Sequence, residues 1–322
     1  MRIQIIYRML VLTNAVMFFQ FASAQNFTAD AKTEAIKNIA QHIAANYIYP
    51  EKGGQIASHI QAANFKGQFD KAANWKEFDE MVTKELWAFS GDGHLYVRHD
   101  PEMVKELKNP PPVREEKNNM NDQSGTSKST IAESKLLDNN IGYIKITGIN
   151  INKGNLGDLD DHIKKMAGTK AVIIDLRDNG GGGSEEGPVL ESYFLPAGTP
   201  TLRFTKRDGS YTTDSTVTWL KQARYEKPVY IIVNRNTASA AEAFAFVLQQ
   251  KRRAKIVGEK SAGAANMNSW YAINDENFVS VSTAAPSVPG TNSSWEQSGI
   301  QPDIRVKKDD PLAVAIREAS KF

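Results

Sequence analysis

From Asn140 onward the sequence alternates short apolar segments with segments that repeat apolar residues at helical spacing. The strand-like segments are Ile141–Thr147, Ala171–Leu176, Pro228–Val233 and Ala254–Val257, and the helical ones are Leu156–Met166, Glu185–Phe194, Ser239–Gln250 and Pro311–Ala319. Strands that are apolar on both faces and separated by helices form a sheet covered by helices. The pattern predicts an α/β layered core with a largely buried sheet, with ligand-binding groups at the ends of its strands.

The rest of the chain divides into segments of different composition. Residues 1–24 have the order of a secretory signal peptide: basic start, apolar stretch, small-residue cleavage site. Residues 25–90 repeat apolar side chains every three or four positions and predict a small helical domain. Residues 91–108 carry a histidine, His94, that follows a glycine, and residues 109–135 have the Pro-, Asn- and Ser-rich composition of a linker. The core then spans residues 136–322.

The signal-peptide interpretation indicates export with cleavage after Ala24, because the apolar stretch is too short for a membrane anchor. Removing this segment removes Arg2 and Arg8 and leaves 37 basic and 37 acidic residues. Without a cationic excess, nucleic-acid binding is not expected. The chain contains no cysteine, which excludes disulfides, thiolate nucleophiles and a lipid-anchoring cysteine. These features favour a bacterial periplasm, with the cell surface and the medium as alternatives, and no membrane contact after signal removal.

A run of four glycines, Gly180 to Gly183, is separated by three residues from the strand that ends at Leu176. Glycines let backbone amides approach a phosphate or an oxyanion without interference from Cβ atoms. A nucleotide loop is disfavoured, since no Gly-Lys-Ser/Thr follows and the glycine spacing of a dinucleotide fingerprint is missing. Taken alone, the run fits a flexible turn equally well.

Ser239 lies between the strand that ends at Val233 and the next helix. A serine at such a junction presents its hydroxyl at the end of the sheet, and the Ala240 amide lies where a helix leaves its donors unsatisfied. The other interpretation is a helix N-cap, because serine is a preferred cap and Glu242 completes a capping box. The local pattern alone favours the cap.

Five short motifs along the chain favour the nucleophile over the helix cap as the role of Ser239. They are Gly91-Asp92-Gly93-His94, Asp175-Leu176-Arg177-Asp178-Asn179-Gly180-Gly181-Gly182, Thr237-Ala238-Ser239-Ala240-Ala241-Glu242, Gly258-Glu259 and Trp295-Glu296-Gln297-Ser298-Gly299-Ile300-Gln301-Pro302-Asp303. Together they resemble the carboxy-terminal processing (tail-specific) serine proteases, in particular the branch with the tricorn core protease and the interphotoreceptor retinoid-binding protein modules. The resemblance implies a ClpP/crotonase-like β/α core and serine peptidase chemistry without cofactor or metal.

The resemblance assigns roles to residues that lie in the motifs. Ser239 matches the family's nucleophile, and the backbone amides of Gly181 and Ala240 match its oxyanion hole. Ala264 stands where the bacterial and chloroplast proteases carry their lysine base, so the usual Ser/Lys dyad is missing.

The tricorn-like branch uses a histidine and a glutamate instead, and both are present as His94 and Glu296. Serine needs an adjacent base, and a carboxylate that orients the imidazole completes such an arrangement. Gly93 replaces the serine that precedes the branch's histidine, and His99 is the reserve candidate for the base. A zinc site at these histidines is disfavoured, because their five-residue spacing in a strand points the side chains to opposite faces.

The sequence therefore predicts an exported serine endopeptidase acting on peptides or proteins. One alternative is a Ser/Lys peptidase that uses Lys260. The other is a non-catalytic module that binds a hydrophobic ligand or a peptide on the same fold. About 50 residues separate Ser90 from Ile141, too few for the PDZ domain of many family members, so recognition of a free carboxyl terminus is not implied.

Overall fold

A computed structural model describes residues 27–110, 130–151, 154–183, 186–221 and 223–322. The predicted signal peptide and residues 111–129 of the predicted linker lie outside the described residues. No helix in the described ranges is both long and apolar enough to cross a membrane. The described residues fall into two compact units, whose bounds along the chain are Met1–Gly91, Leu95–Pro111 and Ser269–Val281 for the first, and Asp92–His94, Pro112–Asn268 and Ser282–Phe322 for the second.

The α-helices of the described residues are α1 (Ala29–Asn46), α2 (Pro50–Phe65), α3 (Trp75–Ser90), α4 (Pro101–Lys108), α5 (Leu156–Met166), α6 (Gly187–Glu191), α7 (Ala240–Gln250) and α8 (Pro311–Ala319). The strands are β1 (Tyr96–His99), β2 (Ile131–Leu137), β3 (Ile141–Ile146), β4 (Ala171–Asp175), β5 (Pro200–Lys206), β6 (Tyr211–Ser215), β7 (Val229–Val233), β8 (Ala254–Gly258), β9 (Met267–Ala272), β10 (Asn277–Ser287) and β11 (Ile304–Arg305).

The first unit is built on three amphipathic helices, α1 to α3, as the apolar spacing predicts. Thr28 caps α1 by accepting a hydrogen bond from the Ala31 amide at 3.1 Å, and Asn74 caps α3 in the same way at Glu77. The unit also contains β1, which pairs antiparallel with the first four residues of β10. Residues 269–281, which the sequence assigns to the core, therefore belong to this unit, because backbone pairing joins them to β1.

The second unit is centred on a six-stranded sheet in the order β11-β8-β7-β4-β3-β2. Strands β3, β4, β7 and β8 are mutually parallel, and every residue of β4 and β7 is buried. Helix α8 covers one face, where Val314 and Ala315 pack among the buried residues of these strands. Helices α5 and α7 contribute to the larger apolar cluster that contains Ile174 and Ile231. The predicted α/β core is confirmed, and the four predicted strands are present within one or two residues of their expected ends.

The strands that the sequence pattern does not reveal are mostly antiparallel. Strand β5 pairs with β6 and with the last four residues of β10. Strand β2 lies partly within the range expected for the linker and pairs antiparallel with β3 at the edge of the main sheet. Strands β2 and β6 are largely exposed, and neither contains a continuous apolar run like those of the central strands.

Candidate active site

The turn between β7 and α7 holds Ser239 in an unusual backbone conformation. Its φ is 54° and its ψ is −124°, whereas an N-cap residue normally has an extended backbone. Its amide donates to Glu242 Oε2 at 3.0 Å, as in a capping box. Its hydroxyl oxygen lies 3.2 Å from His94 Nε2. Ser239 thus begins the helix and also faces an imidazole, and strained backbone of this kind is typical of functional turns.

His94 reaches this position through a tight turn that belongs to the second unit. The buried Asp92 side chain fixes the turn, because Oδ1 accepts the His94 amide at 2.9 Å and Oδ2 accepts Asn266 Nδ2 at 3.2 Å. Burial lowers the pKa of the His94 imidazole, and the nearby Asp92 carboxylate opposes this effect. A lowered pKa keeps the ring neutral near pH 7, the state in which it can accept a proton.

Glu296 lies on the segment between Trp295 and Gly299. Its Oε2 accepts hydrogen bonds from the backbone amides of Ala265 at 2.7 Å and Asn266 at 3.0 Å. Its Oε1 is buried and accepts no hydrogen bond from the described residues. Burial, together with the nearby Asp92 carboxylate, raises the pKa of Glu296 to about 7. Asn266 therefore contacts Glu296 through its backbone and Asp92 through its side chain, which connects the segment of Glu296 to the turn of His94.

The glycine run lies directly against the Ser239 turn. A Cβ atom on Gly181 would lie 2.8 Å from Ser239 Cβ and 2.9 Å from the Ala240 nitrogen, so any other residue would have to displace the Ser239 turn. Its φ of 102° also favours glycine. The Gly181 amide donates to Asn179 Oδ1 at 2.9 Å, and Ala240 contributes a first-turn amide of α7. The two expected oxyanion residues are adjacent, and in this structure the Gly181 amide is held by Asn179.

Glu242 is more than the capping residue that the sequence suggests. Its carboxylate accepts four hydrogen bonds, from the Ser239 amide, from Ser261 Oγ at 2.5 Å, and from the Gly263 and Ala264 amides at 2.7 and 2.9 Å. Burial raises its pKa, and these donors oppose the shift. The side chain therefore fixes the Ser239 turn to residues 261–264.

The alternative bases have other contacts. The Lys260 side chain is exposed, and its Cγ packs over Gly299. Ala264, which stands at the lysine position of the better-known branch, has its Cβ 3.7 Å from where a Cβ of Gly93 would be. His99 lies in β1 and pairs with Asn277 in the first unit. Asp92 and Asn179 lie in the sequence motifs without any indication of their contacts, and for Glu242 the capping box indicates only the contact with Ser239.

A pocket of about 100 Å³ opens beside the Ser239 turn. Its lining includes Gly182, Ser239, Ala240 and Trp295, together with the acidic residues Glu191 and Asp214. Within the described part of the chain, no group of three or more His, Asp or Glu side chains is arranged to hold a metal ion.

Comparison with known sequences identifies the family. Residues 140–306 match the model of peptidase family S41, and residues 27–132 match that of the N-terminal domain of Peptidase_S41 in eukaryotic IRBP. The carboxy-terminal processing protease CtpA of Bacillus subtilis is 28% identical over 189 residues, 58% of this chain and 40% of that protein. The chloroplastic carboxyl-terminal-processing peptidase 2 of Arabidopsis thaliana is 29% identical over 175 residues, 53% of this chain and 33% of that protein. The aligned regions thus cover well under half of these relatives.

Solved structures agree on the fold. A putative peptidase from Parabacteroides merdae superimposes with a TM-score of 0.63 at 17% identity, over 89% of this chain and 96% of that one. The tricorn protease superimposes with a TM-score of 0.58 at 11% identity, over 90% of this chain and 37% of that one. Identities this low establish the fold alone. The match to the family model over more than half of the sequence shows that the chain belongs to peptidase family S41.

Proposed function

We propose that this chain is an exported serine endopeptidase in which Ser239 is the nucleophile and His94 the general base. The observation that carries the proposal is the 3.2 Å distance between Ser239 Oγ and His94 Nε2. A nucleophile and its base exchange a proton across about 2.6–3.2 Å, and the distance is often longer in apo structures. Burial lowers the pKa of His94, which favours the neutral, proton-accepting ring.

The first half of the reaction forms an acyl-enzyme. Ser239 Oγ attacks the peptide carbonyl carbon while its proton passes to His94 Nε2, and the carbonyl oxygen becomes an oxyanion. The imidazolium then donates that proton to the leaving amine, and the C–N bond breaks. In the second half, water attacks the Ser239 ester, His94 again takes and returns the proton, and the carboxylic acid product leaves.

The oxyanion requires hydrogen-bond donors beside Ser239, and we assign this role to the amides of Ala240 and Gly181. Their closeness to the Ser239 turn supports the assignment. The Gly181 amide donates to Asn179 Oδ1 in the present structure. Its use as an oxyanion donor therefore requires that substrate binding shift this hydrogen bond toward the new negative charge.

We assign Glu296 the role of stabilising the imidazolium. Two backbone hydrogen bonds fix its Oε2, and its buried Oε1 has no hydrogen bond within the described residues. The raised pKa of about 7 shows that burial destabilises the ionised carboxylate of Glu296. A nearby cation would stabilise that ionised form. The Asp92 carboxylate affects the pKa of both His94 and Glu296, which supports assigning the imidazolium of His94 as that cation.

Two observations favour this arrangement over the alternatives. For a Ser/Lys peptidase, the exposed Lys260 side chain would have to leave its position over Gly299. For a non-catalytic binding module, a strained serine turn facing a neutral imidazole would serve no purpose, and strain at this level costs about 1–3 kcal/mol. The predicted signal peptide supports export, with the periplasm as the favoured compartment and peptides or proteins as substrates.

The test is covalent labelling with a fluorophosphonate, followed by peptide mapping and by hydrolysis of an internally quenched peptide library. We expect the label on Ser239 and loss of both labelling and hydrolysis in Ser239→Ala. The matched control, Ser58→Ala, changes an exposed serine of α2 and should behave as the wild type. Equal hydrolysis by Ser239→Ala and wild type, from preparations free of other proteases, would reject the proposal.

A further inference from the structure

The pocket beside the Ser239 turn contains a buried acidic side chain that the proposed mechanism does not use. Glu191, the last residue of α6, lines the pocket and is only 2% exposed. Its Oε2 accepts no hydrogen bond from the described residues. The Thr201 hydroxyl interacts with the carboxyl but without the geometry of a regular hydrogen bond. A buried carboxyl oxygen with no donor is unfavourable, so a ligand that donates a hydrogen bond to it would be stabilised here.

The charges around Glu191 indicate what that ligand is. Asp214, a second acidic residue, lines the same pocket, and the described residues that line it include no lysine, arginine or histidine. Burial raises the pKa of Glu191 to about 8; the Asp214 carboxylate adds to this, whereas Thr201 and the charge of Lys251 oppose it. Lys251 lies outside the pocket lining and does not outweigh burial. A cation that entered the pocket would restore the ionised form of Glu191 and pair with it.

The apolar part of the lining suits the stem of a long basic side chain. Leu202, Phe204, Ala243 and Trp295 are apolar surfaces of the pocket. Lysine and arginine bury their methylene groups along apolar surface while the charged end reaches a polar partner. The volume of about 100 Å³ accommodates one such stem rather than a bulky ring system, given that an engineered cavity of about 150 Å³ holds one benzene.

The position of the pocket defines which substrate residue enters it. Its lining includes both Ser239 and Ala240. The substrate residue whose carbonyl Ser239 attacks has its side chain next to these atoms. From this geometry we infer that the pocket selects substrates with a lysine or arginine immediately before the cleaved bond, through an ion pair with Glu191. The inference rests on the proposed peptidase function and names its substrate class.

The test uses peptides that differ only at that residue. Lysine and norleucine have side chains of equal carbon length, and only lysine carries the ammonium group. We expect wild-type kcat/KM to be about 10- to 100-fold higher for the lysine peptide, the range of a hydrogen bond between charged groups. In Glu191→Gln the ratio should fall to near one, with norleucine hydrolysis within about threefold of wild type. Glu226→Gln, which alters an exposed glutamate, is the matched control and should keep the wild-type ratio.

The possible results separate failure of this specificity from failure of the proposed peptidase function. A wild type that cleaves the norleucine peptide as well as or better than the lysine peptide, in a Ser239-dependent manner, overturns the inference and leaves the proposed function standing. A Glu191→Gln enzyme that loses both activities equally overturns it as well. If no peptide is cleaved by wild type and fluorophosphonate labels no serine, the proposed function fails first and this inference fails with it.

Discussion

Replacing Gly181 with alanine tests whether the glycine run holds the nucleophile in place. The new Cβ would lie 2.8 Å from Ser239 Cβ, and ordinary contact begins at 3.4 Å, so the two atoms must separate by about 0.6 Å. Misplacing a reacting group by about 1 Å can cost on the order of 100-fold in rate, so we expect kcat/KM to fall by roughly 10- to 100-fold. Alanine at a φ of 102° also costs about 1–3 kcal/mol of stability.

The neighbouring glycine provides the control. A Cβ on Gly180 would meet no atom within 4 Å, and its φ is not in the left-handed region. Gly180→Ala should therefore keep kcat/KM within about threefold of wild type. The assay combines hydrolysis of a quenched peptide with the second-order rate of fluorophosphonate labelling, and thermal unfolding reports stability separately. Equal activity of Gly181→Ala and Gly180→Ala would refute the claim that this contact positions Ser239.

Three further variants test neighbouring parts of the site. Lys260→Ala should retain most hydrolysis, and a loss of 100-fold or more would revive the Ser/Lys mechanism. Glu242→Gln places an amide NH₂ opposite two backbone or hydroxyl donors. Thermal unfolding should show that the free energy of unfolding falls by about 2 kcal/mol or more. Unchanged stability would mean that the four hydrogen bonds to the Glu242 carboxylate are not needed for folding. The pKa of Glu191 is about 8 in the folded chain and about 4.5 in the unfolded chain, so folding binds a proton and the free energy of unfolding falls as pH rises from 5 to 8. In Glu191→Gln, up to about 4 kcal/mol of this fall should disappear. The same pH dependence of unfolding in the variant and the wild type would contradict the burial of Glu191.

The sequence predicts the centre of the second unit well because its strands are buried on both faces. Residues 171–175 and 229–233 are wholly buried, and such runs stand out without knowledge of their neighbours. The serine turn is recognisable for a similar local reason, since the end of β7 and the start of α7 flank it. The motifs also bring together His94 and Ser239, which lie 145 positions apart in the chain.

The contacts of the buried acidic residues Asp92 and Glu242 cannot be predicted from the sequence in the same way. Asp92 meets Asn266 across 174 positions, and Glu242 meets Gly263 across 21. Whether a carboxylate is solvated, paired or buried depends on which distant segment covers it, and residue type alone predicts exposure for all of them. Strand β6 escapes prediction because most of its side chains are exposed and polar.

The central claim, that His94 is the base for Ser239, is tested most directly by the pH dependence of fluorophosphonate labelling. Because burial lowers the pKa of His94, the labelling rate should rise with pH along a limb whose midpoint lies below the ordinary value of about 6.5. In His94→Ala the rate should fall by at least about 100-fold and the limb should disappear. A midpoint in the alkaline range typical of lysine, kept in His94→Ala, would contradict the account.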